Sequence, residues 1–191
     1  MKPAFVVVDE FYEDPDAIVE RALALEYTRE KAVNYPGVMA ETFQDLEPIM
    51  SSFSALLAGL DIKYRGIQGS FRVTTERDTE ARAALVHLDS SDFSAVVHLS
   101  RRPAEGTSFY RHKRLGLEYV TAEDNRNPEV KRAIEEDTLD LSAWDLTHVI
   151  PMKYNRLVLF DGKHFHSGPQ RLEGVTLADG RMTQNFFFYR A

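Results

Sequence analysis

The sequence predicts a mainly β protein with helices at its N-terminal end, and three observations lead to this fold class. Before residue 60, two segments carry apolar residues at helical spacing. From Asp61 onward, apolar and polar residues alternate with the period of two that is typical of half-buried strands. These strand-like segments are short and separated by turn residues, which favours an antiparallel sandwich or barrel. For 191 residues we expect one domain over residues 1–191, with a jelly roll, or cupin-like double-stranded β-helix, as the natural all-β arrangement.

Residues 1–60 are predicted to form a helical support region that begins with a strand at Val6–Val8. The first helix starts at Asp14 and Pro15, because aspartate is a good N-cap and proline at the first helical position loses no hydrogen bond. A second helix is predicted from about Gln44 to Gly59, where apolar residues recur at intervals of three and four. We expect both helices to pack against the β-rich body rather than to carry chemistry.

The β-rich body is predicted to contain about eight strands and one insertion. The strand candidates are residues 61–67, 69–75, 83–88, 93–100, 106–111, 155–161 and 181–190. Alternation fails between residues 112 and 153, where Asn127 and Pro128 open a short charged helix that runs to about Asp137. We therefore interpret residues 112–153 as an insertion that serves as a lid or as mobile filler.

Composition excludes several classes of function. The chain has no cysteine, so disulfides, zinc–thiolate sites and cysteine nucleophiles are ruled out. Its formal net charge is −7 and it has no long basic block, so nucleic-acid binding is not expected. No apolar run approaches the length of a membrane span, so no membrane partner is expected either. The apolar run near the N-terminus meets acidic residues at once, which indicates a strand rather than a signal peptide, and we expect a cytoplasmic protein.

The clearest candidate site begins with His87 and Asp89, two residues apart on a predicted strand. Side chains two apart on a strand point to the same face, and Asp89 stands where this strand ends. A His-x-Asp tripeptide is weak evidence alone, because a chain of this composition produces one by chance nearly half the time. The pair would supply two metal ligands at the rim of the sheet.

A third ligand is expected after the strand that ends at Asp161 and Gly162. His164 and His166 both follow, and either could serve; we favour His166, because the chain leaves the strand there into Gly168 and Pro169. Two histidines and one carboxylate on one face form the triad of non-haem Fe(II) oxygenases. Zinc accepts the same ligands. The alternative is a surface aspartate beside two structural histidines.

The last predicted strand carries an unusual polar stripe. Arg181, Thr183 and Asn185 share one face of residues 181–190, and mostly aromatic residues occupy the other. An arginine beside a threonine can clamp a carboxylate, with the guanidinium binding it through two hydrogen bonds. A solvated face would more often carry charges of both signs.

With these pieces in place, the chain resembles the Fe(II)/2-oxoglutarate-dependent oxygenase superfamily in its prolyl-4-hydroxylase-like branch. The resemblance covers most of the chain outside residues 112–153, and in detail it is closest to short, little-characterised members. The matching segments, in order, are FVVVDEFYEDPDAIVERAL, VHLD, EGTSFYRHK, NRLVLFDGKHFHSGP and GRMTQNFFF.

The resemblance implies a double-stranded β-helix in which His87, Asp89 and His166 hold Fe(II). It also implies that 2-oxoglutarate chelates this iron and pairs its far carboxylate with Arg181, helped by Thr183. Many members use a tyrosine on an earlier strand as a second carboxylate contact; near the corresponding place this sequence has Arg72 and Tyr64, and the residues alone do not decide between them.

The reaction implied is hydroxylation of a C–H bond in a small-molecule or amino-acid-like substrate, with O₂ as the oxidant. Related halogenating enzymes lack the ligand carboxylate, so Asp89 favours hydroxylation or a related oxidation over halogenation. Substrate or lid contacts are expected from the residues Arg72, Arg111, Tyr119, Trp144 and His148, and from the turn at Tyr35. The basic run from Arg111 to Arg114 is either a solvated turn or a contact for an anionic substrate.

Two other interpretations remain open from the residues alone. The protein could be a non-catalytic jelly-roll binding module with structural histidines. It could also be a metal-binding cupin of different chemistry, with His98 or His164 as an additional ligand.

Overall fold

The computed structural model describes residues 5–29, 36–41, 46–65, 68–78, 86–102, 105–169 and 171–191. The helices are α1 (Pro15–Leu23), α2 (Glu47–Leu56) and α3 (Pro128–Asp137). The strands are β1 (Phe5–Val8), β2 (Val38–Ala40), β3 (Ile62–Tyr64), β4 (Ser70–Thr74), β5 (Phe93–His98), β6 (Thr107–His112), β7 (Trp144–Ile150), β8 (Arg156–Asp161), β9 (His166–Ser167) and β10 (Arg181–Arg190). The prediction of a mainly β protein with N-terminal helices is confirmed.

The strands form two antiparallel sheets. The large sheet has the order β1-β8-β5-β10-β4-β2, and β3 also pairs with β10. The small sheet has the order β7-β6-β9, and an isolated bridge between His166 and His87 adds one more segment beside β9. From β4 to β10 the chain passes back and forth between the sheets: β4, β5, β8 and β10 lie in the large one, and His87, β6, β7 and β9 in the small one. Among these described strands, only β6 and β7 follow each other within one sheet, the small one.

Apolar side chains pack the sheets and helices into layers. The outer face of the large sheet packs against α1 and α2 through a core that includes Ala22, Phe53, Phe186 and Phe188. Between the sheets, Phe109 of β6 packs with Phe160 of β8 in a smaller cluster. Phe160 also lines the pocket described below, which therefore lies beside this inner cluster.

The predicted N-terminal helices are present with nearly the predicted ends. Asp14 caps α1 by accepting a hydrogen bond from the Ala17 amide at 3.0 Å, and Pro15 opens the helix. The second helix begins at Glu47 rather than near Gln44, a residue outside the described part of the chain. It ends at Leu56, before Ala58 and Gly59 adopt positive φ angles of 59° and 77° that no helix continues.

The proposed insertion over residues 112–153 needs a correction, because its last part is a strand of the small sheet. β7 pairs along β6 from Thr107 to His112, with a shift of register between Phe109 and Tyr110. As an edge strand it exposes apolar residues such as Leu146, so the alternation expected of a half-buried strand is lost. The charged helix predicted after Asn127 is confirmed as α3.

The strand predicted over residues 83–88 is also shorter in the structure. Residues 83–85 lie outside the described part of the chain, and from Val86 to Leu88 only His87 pairs, through its bridge to His166. Among the described residues, no helix is both long and apolar enough to cross a membrane.

Candidate metal centre and pocket

His87, Asp89 and His166 come together at one end of a pocket between the two sheets. Their candidate ligand atoms all lie within 4.8 Å of one another. Nε2 of His166 is 3.4 Å from one Asp89 carboxylate oxygen, and Nε2 of His87 is 3.8 Å from the other. Ligands about 2.1 Å from an octahedral metal would be roughly 3 Å apart, so a metal ion fits after a small contraction.

Backbone pairing sets the two imidazoles side by side. The amide of each histidine donates a 3.0 Å hydrogen bond to the carbonyl of the other, and the ring centroids are 4.4 Å apart. Nδ1 of His166 lies 2.8 Å from the carbonyl oxygen of His164, so we assign the ring proton to Nδ1. Nε2 therefore faces Asp89, where it carries a proton toward the carboxylate when the ring is protonated and offers its lone pair to a metal ion when that proton is lost, as a metal-ligating histidine requires.

Asp89 is held in place by the turn between β8 and β9. Its amide donates to the Gly162 carbonyl at 2.8 Å, and Nζ of Lys163 donates to the Asp89 carbonyl at 2.9 Å. A Cβ atom at position 162 would stand 2.6 Å from the Ser91 carbonyl oxygen and 3.2 Å from Cβ of Asp89, so glycine is required by this close approach. The sequence identifies Gly162 only as a turn residue, and the close approach to Asp89 and Ser91 is seen only in the structure.

A short hydrogen bond from Ser94 orients the Asp89 carboxylate. The buried Ser94 hydroxyl lies 2.5 Å from the carboxylate oxygen that faces His166. Removing this bond in Ser94→Ala is expected to weaken Ni(II) binding about 10- to 100-fold, the usual effect of losing a hydrogen bond behind a metal ligand. Titration calorimetry measures the change, with Ser52→Ala on the exposed side of α2 as control. Equal affinities for both variants would show that Ser94 does not support the ligand.

The positive charges of the two histidines and the negative charge of Asp89 shift the pKa values of this site. Burial raises the pKa of Asp89, but the charge and hydrogen bond of His166 and the charge of His87 outweigh it and hold that pKa well below its usual range. Burial lowers the pKa of His166, but the adjacent Asp89 carboxylate outweighs it and raises that pKa. The carboxylate is therefore ionised, and a metal ion would take the place of the proton that otherwise neutralises it.

The C-terminal end of α3 anchors the residue before His87. The Val86 amide donates to the Thr138 carbonyl at 3.1 Å, and the Thr138 hydroxyl donates to the Val86 carbonyl at 2.5 Å. Val86 also packs with Trp144 and Phe165 in a core beneath the small sheet, against Ile134 of α3. The segment predicted to be a lid or mobile filler therefore holds the segment of the candidate ligand His87 from behind.

Replacing Thr138 by valine keeps the shape of the side chain and removes its hydroxyl. We expect the free energy of unfolding to fall by about 1–3 kcal/mol, because the carbonyl of the buried Val86 loses a partner. Urea denaturation measures this loss. Thr138→Ser keeps the hydroxyl and should retain most of the stability, and equal destabilisation by both variants would contradict the role of the hydrogen bond.

The other end of the pocket presents the polar stripe of β10. Arg181, Thr183 and Asn185 line it, as predicted from their shared strand face, and Arg72 on β4 lies opposite Thr183. Tyr64, the other residue near the expected place of a second carboxylate contact, pairs with Phe188 through β3 and is 41% exposed. Arg72, which lines the pocket, is therefore better placed than Tyr64 for that contact. Thr107, Phe187 and Ser167 also line the pocket, and their part was not apparent from the sequence.

Four of the predicted substrate or lid contacts are not among the residues that line this pocket: Arg111, Tyr119, Trp144 and His148. Arg111 is exposed on β6, where its Nε donates to the Gly116 carbonyl. Tyr119 stacks obliquely on His164 at the surface. Trp144 is only 4% exposed, in the core beneath the small sheet. His148 lies exposed on β7, and Tyr35 lies outside the described residues.

Comparison with known proteins identifies the family. The profile of a family of unknown function, DUF6445, matches residues 2–188. The chain belongs to this family. A search among curated proteins gave no match.

Solved structures show that this DUF6445 chain shares its fold with Fe(II)/2-oxoglutarate-dependent oxygenases. HygX from Streptomyces hygroscopicus, with nickel and 2-oxoglutarate bound, matches with a TM-score of 0.56 at 13% identity over 97% of this chain and 82% of its own. A 2OG-Fe(II) oxygenase family oxidoreductase from Burkholderia pseudomallei matches with a TM-score of 0.56 at 12% identity over 98% and 85%. The epimerase SnoN from nogalamycin biosynthesis matches with a TM-score of 0.55 at 14% identity over 98% and 79%.

Proposed function

We propose that this protein is an Fe(II)- and 2-oxoglutarate-dependent oxygenase, in which His87, Asp89 and His166 hold the metal. The observation that carries the proposal is the convergence of these three side chains at one end of a pocket whose other end presents Arg181, Thr183 and Asn185. Two neutral imidazoles and one ionised carboxylate suit Fe(II) and leave coordination positions open. Iron bound there, with 2-oxoglutarate and O₂, would supply the oxidising chemistry and yield succinate and CO₂.

The chain's own residues would bind and orient the co-substrate. The Arg181 guanidinium would take up the far carboxylate of 2-oxoglutarate in bidentate fashion, with the Thr183 hydroxyl and the Asn185 amide as further donors. The aromatic rings of Phe160 and Phe187 line the same pocket and would exclude water from the space between carboxylate and metal. With a carboxylate-binding arginine at one end and a metal at the other, the pocket would suit a dicarboxylate that spans it.

We further infer a jelly roll of the double-stranded β-helix type within one domain, in the prolyl-4-hydroxylase-like branch of the superfamily. The passage of the chain back and forth between the large and small sheets from β4 to β10, with β6 and β7 as the one pair of consecutive described strands in the same sheet, supports it. His98 and His164 lie outside the group of candidate ligands found among the described residues, which favours the three-ligand site over a cupin with an additional histidine.

We propose hydroxylation of a C–H bond in a small-molecule or amino-acid-like substrate. Asp89 supports it, because halogenating relatives lack the carboxylate that the triad retains here. HygX, a neighbour of this fold with a TM-score of 0.52, has been crystallised with nickel, 2-oxoglutarate and hygromycin B. The neighbours also include an epimerase and a carbocyclase, so the fold alone does not select the reaction.

Fe(II)-dependent turnover of 2-oxoglutarate tests the proposal. The protein is incubated with Fe(II), 2-oxoglutarate, O₂ and a set of candidate small molecules, and succinate formation is compared with O₂ consumption. We expect succinate in the wild type and in His148→Ala, which removes an exposed histidine, and none in His87→Ala. Iron-loaded wild type that forms no succinate with any candidate, or alone, would contradict the proposal.

A further inference from the structure

His98, at the end of β5, is a buried histidine whose hydrogen-bonding capacity is unfilled. Its side chain is 0% exposed, and neither ring nitrogen has a hydrogen-bond partner in the described part of the chain. Along β5, Ala95 and Val97 pack into the core under the helices, whereas Ser94 and Val96 line the pocket. Since side chains alternate along a strand, His98 projects from the pocket-facing side of the sheet.

The strand register places His98 directly beside the proposed carboxylate clamp. His98 pairs with Thr183 on β10, which makes Arg181 and Asn185 its diagonal neighbours. Directly paired side chains have Cβ atoms about 5 Å apart, and diagonal neighbours remain within reach of a long side chain such as arginine. On its other side His98 pairs with Arg156, whose guanidinium is already bound to Asp9 and to the Pro151 carbonyl.

A second buried polar group flanks the same clamp. Thr74 on β4 pairs with Arg181, is 0% exposed, and its hydroxyl has no hydrogen-bond partner among the residues described. An unpartnered polar atom in the interior is unfavourable, and native proteins retain few of them. Two such side chains on either side of Arg181 and Thr183 indicate a polar ligand that satisfies them when it is bound.

The chemistry of His98 selects an anion as that ligand. Burial, together with the charges of Arg181 and Arg156, lowers the pKa of His98 well below its usual value. The imidazole is therefore neutral and offers one N–H donor without adding a second positive charge next to Arg181. A buried donor beside a guanidinium is the arrangement that suits a carboxylate.

We propose that His98 donates a hydrogen bond from its ring N–H to the carboxylate that Arg181 binds. The inference rests on the proposed function. It means that His98 of β5, together with the polar residues of β10, binds the far carboxylate of 2-oxoglutarate. His98 would thus contribute to co-substrate binding although it is not one of the candidate metal ligands.

Binding to the Ni(II)-loaded protein tests the proposal without turnover. Titration calorimetry compares 2-oxoglutarate with 2-oxopentanoate, which keeps the chelating end and replaces the far carboxylate by a methyl group. In His98→Leu we expect 2-oxoglutarate to bind about 10- to 100-fold more weakly, the effect of losing a hydrogen bond to a charged group. Binding of 2-oxopentanoate should be unchanged, and His98→Gln, which keeps an N–H donor, should recover part of the affinity for 2-oxoglutarate.

Two controls separate this role from a structural one. His148→Leu removes an exposed histidine on β7 and should bind both ligands like the wild type. Without ligand, the melting temperature of His98→Leu should equal or exceed that of the wild type, because an unpartnered polar group is replaced by an apolar one. Unchanged 2-oxoglutarate affinity in His98→Leu, or equal weakening of both ligands, would overturn the proposal.

A measurement on the wild type covers the case in which the variants do not fold. In the diamagnetic Zn(II)-loaded protein, the imidazole ¹⁵N resonances of His98 should shift when 2-oxoglutarate is added and remain in place with 2-oxopentanoate. Identical responses to both ligands would overturn the role of His98 while leaving 2-oxoglutarate binding intact. A metal-loaded wild type that binds neither ligand would overturn the proposed function and this inference together.

Discussion

Replacing His166 by alanine is expected to lower the affinity for Ni(II) or Fe(II) by more than about 100-fold. Loss of a hydrogen bond behind a metal ligand already costs about 10- to 100-fold, and removal of a ligand should cost more. His166 is also the buried member of the histidine pair, with its Nε2 aimed at Asp89 and its Nδ1 engaged by the His164 carbonyl. Titration calorimetry with Ni(II) in the absence of oxygen measures the affinity.

His164→Ala is the matched control for this experiment. The two histidines are two residues apart, and the bond from His164 to Nδ1 of His166 uses the main-chain carbonyl, which the substitution leaves in place. The ring of His164 packs on Tyr119, away from the other two ligands. His164→Ala should therefore bind Ni(II) like the wild type, and the reverse pattern would assign the third ligand to His164.

Replacing Arg181 by alanine is expected to remove most of the affinity for 2-oxoglutarate while leaving metal binding intact. Truncating one partner of a buried, hydrogen-bonded charge pair costs about 2–5 kcal/mol, or roughly 30- to 4,000-fold in affinity. Arg181 starts β10 on the pocket-facing side, at the opposite end of the pocket from the three candidate ligands. The KM for 2-oxoglutarate in succinate formation should rise by a similar factor.

Two further substitutions show what this effect depends on. Arg181→Lys keeps the charge but loses the planar fork, so it should recover only part of the affinity. Arg111→Ala removes an exposed arginine outside the pocket and should have no effect. Wild-type affinity for 2-oxoglutarate in Arg181→Ala would show that the co-substrate carboxylate lies elsewhere.

Local patterns predicted the elements that carry the candidate site. The period of two placed His87 with Asp89, and Arg181 with Thr183 and Asn185, each set on one face of the chain, and the structure brings both sets into one pocket. Asp14 and Pro15 marked the start of α1 because capping chemistry is local. Order along the chain and resemblance, rather than the His-x-Asp tripeptide alone, made the metal site the leading hypothesis.

The remaining features depend on contacts between distant parts of the chain. Lys163 reaches the carbonyl oxygens of Asp89 and Ser90, and Thr138 reaches Val86, although nothing near these residues in the sequence indicates such partners. β7 was missed because it lies at a sheet edge, pairs across a register shift and exposes Leu146 and Val149. For His98, only the register with Thr183 shows that a buried histidine adjoins the clamp.

The most direct test of the proposed centre is the visible absorption spectrum of the protein with Fe(II) and 2-oxoglutarate in the absence of oxygen. Chelation of Fe(II) by 2-oxoglutarate at the proposed triad predicts a weak metal-to-ligand absorption band that saturates at one 2-oxoglutarate per protein. The band should be absent from His166→Ala and present in His164→Ala. A wild-type protein that binds Fe(II) but shows no band at saturating 2-oxoglutarate, or a band that persists in His166→Ala, would contradict this centre.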